Sequence, residues 1–140
     1  MRNLLPRRRY HTARCILKSG DRFLLAIHNN IRLENHGKWG LPGGRVEFGE
    51  DPEATARREL AEELDIQLEA LRFVGDYEYK ERMHKVFGSE FEGDIVSFDQ
   101  NEILEIGWHS LAQVRRFEED GKLHTGFEHI AIREYIHLID

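Results

Sequence analysis

Six consecutive residues, Trp39-Gly40-Leu41-Pro42-Gly43-Gly44, hold three glycines and a proline just ahead of a strongly acidic segment. A regular helix or strand tolerates that density poorly, because glycine adds backbone freedom and proline removes a donor, so close backbone turns are expected there. Residues 45–48 read as a short strand. Gly49-Glu50-Asp51-Pro52-Glu53 then carries the marks of a helix start: an acidic cap, proline in the first turn, and more acid near the positive end of the helix dipole. The pattern predicts a helix over 52–64, and Ala56, Leu60 and Leu64, spaced i, i+4, i+8, give it one apolar stripe to lay on a sheet.

That sheet is legible on both sides. Residues 10–17 and 22–28 read as strands joined by the turn formers Lys18-Ser19-Gly20-Asp21, a hairpin; residues 29–38 are polar and read as an exposed loop. Strands are expected again over 71–79, 83–91 and 103–109, then a short helix over 111–117. A terminal helix over 127–139 lines up Phe127, Ile130, Ala131, Glu134 and Leu138, with Ile132, Ile136 and Ile139 widening its apolar face. Strands interrupted by one central helix and closed by another predict an α+β chain, an α/β/α sandwich with helices on a mixed β-sheet. At 140 residues, the whole of 1–140 is expected to form a single domain.

Charge and composition exclude several classes of function. Apolar residues are 40% and charged residues 33% of the chain, enough to build a core, and the formal charge of -6 argues against a duplex nucleic acid partner. Arg2, Arg7, Arg8 and Arg9 make a short basic arm, read as solvated. No apolar run suits a secretory signal or a membrane span, so a cytoplasmic location without membrane partners is expected. Cys15, the single cysteine, reads as a buried reduced thiol.

The chemistry gathers on the central helix. Glu59, Glu62 and Glu63 fall at i, i+3, i+4 and so project from one face, where like charges oppose each other by about 0.2–0.5 kcal/mol per pair unless a cation sits between them. A hard divalent ion relieves the repulsion; Mg²⁺ takes oxygen ligands and is commonly held by a few carboxylates together with substrate phosphates. The plain alternative is a solvated face braced by Arg57 and Arg58. What favours the metal is the glycine-rich turn upstream, whose bare backbone at Gly43 and Gly44 is able to approach phosphates and lend a carbonyl to the same ion.

Gly44, five residues, Glu50, seven residues, then Arg58-Glu59-Leu60-Ala61-Glu62-Glu63-Leu64-Asp65-Ile66 resembles the signature box of the Nudix hydrolases, matching every specified position but one. The departure is Asp65, where the family has a glycine that ends the helix in a left-handed conformation; Asp visits that region better than most residues. The resemblance implies an α/β/α sandwich and a Mg²⁺-dependent pyrophosphohydrolase, with Mn²⁺ as the substitute ion. Its substrate would be a small molecule, a nucleoside diphosphate linked to another moiety, such as a nucleoside triphosphate or nucleotide sugar. Carried over by position, it makes Glu59 and Glu63 the leading metal ligands, Glu62 a further ligand and the Gly43 or Gly44 carbonyl a backbone one. Arg58 would orient the carboxylates and Glu50 would brace loop and helix. It also makes a homodimer reasonable.

The general base is sought outside the box, in Asn101-Glu102-Ile103-Leu104-Glu105-Ile106-Gly107-Trp108, with Glu105 preferred over Glu102 and a plain surface role open for both. Trp39 is expected as a wall beside the glycine turn, and Arg32, with His36 and Arg82, as a contact to phosphate or sugar. Tyr77, Tyr79, Phe87 and Phe91 are stacking candidates, although alternating aromatics on strands are core residues more often than ligand walls. The eight histidines show no ligand spacing, and most are expected to be ordinary surface or strand residues. A Nudix-fold module that binds a nucleotide without turnover is the rival reading.

Overall fold

The computed structural model describes residues 9–30 and 32–140. Of the basic arm only Arg9 falls within that range; Arg2, Arg7 and Arg8 lie outside the described residues. Among the described residues seven strands form one mixed sheet.

The sheet is built around a splay. β1 (Tyr10–Ser19) and β2 (Arg22–His28) form the expected hairpin, but they pair only at Lys18 with Phe23 and Ser19 with Arg22 before parting. The glycine-rich segment fills the gap. Its first part, β3 (Trp39–Gly40), pairs with Ala26 and Ile27 of β2; its last, β4 (Gly43–Arg45), pairs with Thr12, Ala13 and Arg14 of β1. The expectation of turns without strand pairing across this segment is therefore corrected. Both stretches are very short strands that meet partners distant in sequence. The strand expected over 45–48 is displaced for the same reason: pairing ends at Arg45, and residues 47–50 turn, with the Glu50 N–H donating to the Glu47 carbonyl at 2.9 Å.

Beyond β1 the order continues through β6 (Arg82–Glu90), parallel to β1, to β5 (Arg72–Tyr79), antiparallel to β6; β7 (Ile103–Ser110) runs antiparallel to β2. α1 (Pro52–Leu64) covers one face, where Leu60 and Leu64 pack with Cys15, Leu17, Leu24, Ala26 and Ile103. α2 (Leu111–Glu119) and α3 (Glu128–Ile139) supply Val114, Ala131, Ile132 and Tyr135 to the other face, around Ile16, Phe23 and Val86. This is the α/β/α sandwich. Leu60 and Leu64 are essentially fully buried, which stabilises by about 1.5–3 kcal/mol each. Cys15 is a free thiol with no exposure, and burial pushes its pKa up.

α1 forms as its ends dictate. The Asp51 carboxylate accepts from the Glu53 N–H at 3.1 Å, Pro52 opens the first turn, and Asp65 closes the helix at φ 55°, ψ 43°, its N–H donating to the Ala61 carbonyl at 3.1 Å. α3 buries part of its expected face: Phe127, Ala131 and Ile132 are buried, but Ile130 and Leu138 are 47% and 46% exposed, and Glu128 and Tyr135 join the buried side. The docking face follows the partners on the sheet rather than the count of aliphatic residues. Among the described residues no helix is long and apolar enough to cross a membrane.

Candidate active site

The site begins where β4 leaves the sheet. Gly43 has φ 138°, and a β-carbon there would meet the Ala13 carbonyl oxygen at 2.3 Å; one at Gly44 would meet Glu59 Oε1 at 2.1 Å. Gly43 demands glycine, because its φ and the β1 backbone leave no room for a side chain, whereas at Gly44 the space is taken by the end of the Glu59 side chain. The Gly43 N–H donates to Glu63 Oε1 at 3.1 Å, and its carbonyl accepts from Arg14 Nη1 at 2.8 Å. The turn and the acidic helix are thus one unit.

Arg58 ties that unit together. Its Nε and Nη2 donate to the two oxygens of Glu50, at 2.8 and 3.0 Å, while Nη1 donates to Glu59 Oε2 at 2.7 Å and to Glu62 Oε1 at 3.0 Å. Glu50 also accepts from the Thr55 hydroxyl at 2.7 Å and the Glu47 N–H at 3.1 Å. The bonds from Arg58 and then Thr55 hold the Glu50 carboxyl down at about 2, and Glu50 in turn raises the Arg58 pKa. Glu59 moves the other way. Burial first, then the charge of Glu63, pushes its carboxyl up to about 7 against the pull of Arg58.

An open cavity of about 720 Å³ lies over this unit, lined by Gly43, Gly44, Arg58, Glu59 and Glu63 on the side of the box. Glu62 does not join them: its side chain is 59% exposed and turned to Arg58. Among the described residues no three His, Cys, Asp or Glu side chains form a ready metal cage. Of the three glutamates expected to converge, Glu59 and Glu63 face the cavity, while Glu62 shares Arg58 Nη1 with Glu59 but lies outside the lining.

Three other expectations change. Trp39 is 9% exposed and stacks on Phe117 with its edge to His109, so it belongs to the core and not to the cavity wall. Arg32 is exposed and outside the lining. Glu105, opposite Ile27 on β7, is also outside it, whereas Glu102 lines the cavity. The histidines are not all ordinary: His28 and His124 line the cavity, and His84 is 5% exposed with Nδ1 2.6 Å from the Thr12 hydroxyl.

Three wall residues escaped sequence reasoning. Arg14 reaches across from β1. His28 closes β2 beside a register shift that redirects the strand, with Nε2 3.6 Å from Glu63 Oε2. His124 follows α2, and burial and then Arg14 push its pKa down to about 4, so it is neutral at pH 7. No spacing signal links positions 14, 28 and 124; the splay of β1 from β2, and the bridge of Leu123 and the His124 N–H to Trp39 in the gap, bring them together.

A family model described as the NUDIX domain matches residues 8–127. The chain is 30% identical over 114 residues to an NAD-capped RNA hydrolase, NudC, of Pectobacterium carotovorum, a match covering 78% of this chain and 43% of that protein. It thus spans less than half the length of that relative and of NudC from Erwinia tasmaniensis, of which 41% is covered. In fold it resembles the MutT protein of Methanosarcina mazei, with a TM-score of 0.74, 24% identity, and coverage of 97% of this chain and 100% of that one. An Ap4A hydrolase of C. elegans has the same TM-score at 21% identity, covering 91% and 97%. Box, sandwich and family model agree, and the chain belongs to the Nudix family.

Proposed function

We propose that residues 1–140 act as one domain, a divalent-cation-dependent pyrophosphohydrolase cleaving a phosphoanhydride bond in a nucleoside diphosphate linked to another moiety. The observation that carries this reading is the Arg58 clamp, which sets Glu59 over Gly44 while Gly43 holds Glu63, two carboxylates facing one cavity. The donor set fits a hard cation: oxygen ligands, an open site, and a like-charge repulsion between Glu59 and Glu63 that a cation relieves. Glu59 and Glu63 would hold the ion, Mg²⁺ or Mn²⁺, with a carbonyl of the glycine turn beside them and Glu62 joining only if it swings from Arg58. Bound there, it supplies positive charge against that developing on the phosphates.

The chain's own groups do the rest. Arg58 and the Gly43 N–H fix the carboxylates; Arg14 sets the wall and is tied to the Gly43 carbonyl. Glu102, placed in the lining, is the better candidate to accept a proton from the attacking water than Glu105. The relatives' names, an NAD-capped RNA hydrolase and an Ap4A hydrolase, support a nucleotide substrate and leave its second moiety open. A homodimer in the cytoplasm remains part of the proposal.

The test is a chromatographic screen with Mg²⁺ or Mn²⁺ across nucleoside triphosphates, damaged nucleotides, nucleotide sugars and dinucleoside polyphosphates. One class should be cleaved at a phosphoanhydride, and Glu63→Gln, which keeps an acceptor for the Gly43 N–H, should abolish that. Nucleotide binding without turnover of any class would favour a non-catalytic module instead.

A further inference from the structure

Phe48 is 87% exposed. Single exposed apolar residues are ordinary, and Leu33 and Val96 are as open, at 80% and 94%. Position sets Phe48 apart. With Val46 it contributes the apolar side chains to a cavity lining otherwise made of charged and polar groups and glycine. The same two residues also line a second groove of about 1000 Å³, together with the first residues of α1, Tyr10 of β1 and Lys85 and Phe87 of β6.

Within that groove Phe48 has the open aromatic face. Phe87 is 4% exposed. Tyr10 is covered by Lys85, whose Nζ lies 4.8 Å from its ring centroid, and the Tyr10 hydroxyl donates to Asp76 at 2.8 Å. Arg9 sits 5.6 Å from the centroid of the Phe48 ring, which stays largely open. At the inner wall of the cavity, His28 and His124 stand by Glu63 and Arg14, where phosphates need the room.

The backbone that carries the ring is held in place. Phe48 and Gly49, with Gly49 at φ 78°, are the central residues of a turn closed by the Glu50 N–H on the Glu47 carbonyl at 2.9 Å. The Glu47 N–H donates back to Glu50 Oε1 at 3.1 Å, and Glu50 is gripped by Arg58. The clamp that positions Glu59 therefore also fixes the turn that presents Phe48, so the backbone there loses little freedom on binding.

We infer that Phe48 is the stacking platform for the nucleobase of the substrate and that the groove beyond it is the base subsite. This rests on the hydrolase reading, which places the phosphates over Glu59 and Glu63. Recognition is by the π-face of the base, so it tolerates different bases.

The experiment compares binding of ADP and of inorganic pyrophosphate, each with Mg²⁺, by calorimetry. The wild type should bind ADP more tightly than pyrophosphate. Phe48→Ala should weaken ADP about 10-fold, in line with the loss of one stacked base, and leave pyrophosphate binding unchanged; Phe48→Trp should restore ADP binding, with its indole emission altered by ADP alone. ADP held no more tightly than pyrophosphate, or equal losses for both ligands in Phe48→Ala, would overturn the inference. Failure of the hydrolase reading shows separately, as absence of cleavage in the wild type while the ADP preference persists.

Discussion

The α-carbon of Gly44 lies beneath the carboxylate of Glu59, so close that a β-carbon at position 44 would stand 2.1 Å from Glu59 Oε1 and 2.4 Å from the carboxyl carbon. Gly44 is fixed by pairing with Ala13, whereas the Glu59 carboxylate is the end of a flexible side chain that can turn by giving up its bond to Arg58. Gly44→Ala should therefore fold and turn Glu59 away from Arg58. Misplacing a reacting group by about 1 Å costs on the order of 10²-fold. Hydrolysis of the substrate found by screening should fall by about that factor with an unchanged circular dichroism spectrum. Wild-type kcat/KM in this variant would show that the carboxylate's position over the turn is irrelevant.

Glu102 and Glu105 are separated by their places on the fold. Glu102 precedes β7 at the cavity, and its carbonyl accepts from the Asn29 N–H at 2.9 Å, while Glu105 projects from the strand outside the lining. General base catalysis contributes roughly 10²–10⁴-fold. Glu102→Gln should lower kcat by at least about 10²-fold, and Glu105→Gln should stay within a few-fold of wild type. The reverse order in single-turnover rates would return the role to Glu105.

What the chain disclosed beforehand was what is local. α1 could be bounded from Asp51, Pro52 and the Ala56, Leu60, Leu64 stripe, since caps and periodicity act within a few residues. The Arg58 contacts with Glu59 and Glu62 lie on the same helix. What stayed hidden depends on topology: Gly44 beside Ala13, Ala26 beside Gly40, and Arg14, His28 and His124 around one cavity. Trp39 was misplaced because a tryptophan next to a glycine turn gives no sign of which side its ring takes; pairing with Ile27 sends it toward Phe117. Glu62 was misplaced because helical spacing sets where a side chain starts and not where it ends.

Asp65 ends α1 in the left-handed region, where the family pattern has glycine. A side chain there meets steric opposition of about 1–2 kcal/mol, less for Asp, and a negative charge at a helix C-terminus is opposed by a further few tenths. Glycine removes both terms and loses part of the gain to its freer unfolded chain. Asp65→Gly should thus stabilise by about 0.5–1 kcal/mol, raising Tm by a few degrees, and Asp65→Ala should lower it. Thermal melts in the order Gly above Asp above Ala are expected; a glycine variant melting below wild type would mean that the Asp65 side chain makes a favourable contact that offsets its strain.

Glu50 gives stability a pH signature. Its carboxyl lies at about 2 in the folded chain, held there by Arg58 and Thr55, against an ordinary value of 4.5. As pH falls, the unfolded chain takes up this proton first, so folding loses the contribution of Glu50 on the acid side. The contribution is complete above about pH 4.5, shrinks between there and about pH 2, and is gone below. Glu50→Gln removes it at every pH. The Tm gap between wild type and Glu50→Gln should accordingly be constant from pH 8 to about 5.5 and close progressively as the acid limb is entered. A gap that stays level from neutral pH down to pH 3 would mean that the carboxylate charge on Arg58 contributes nothing to the fold, and that the clamp acts only on the geometry of Glu59 and the turn bearing Phe48.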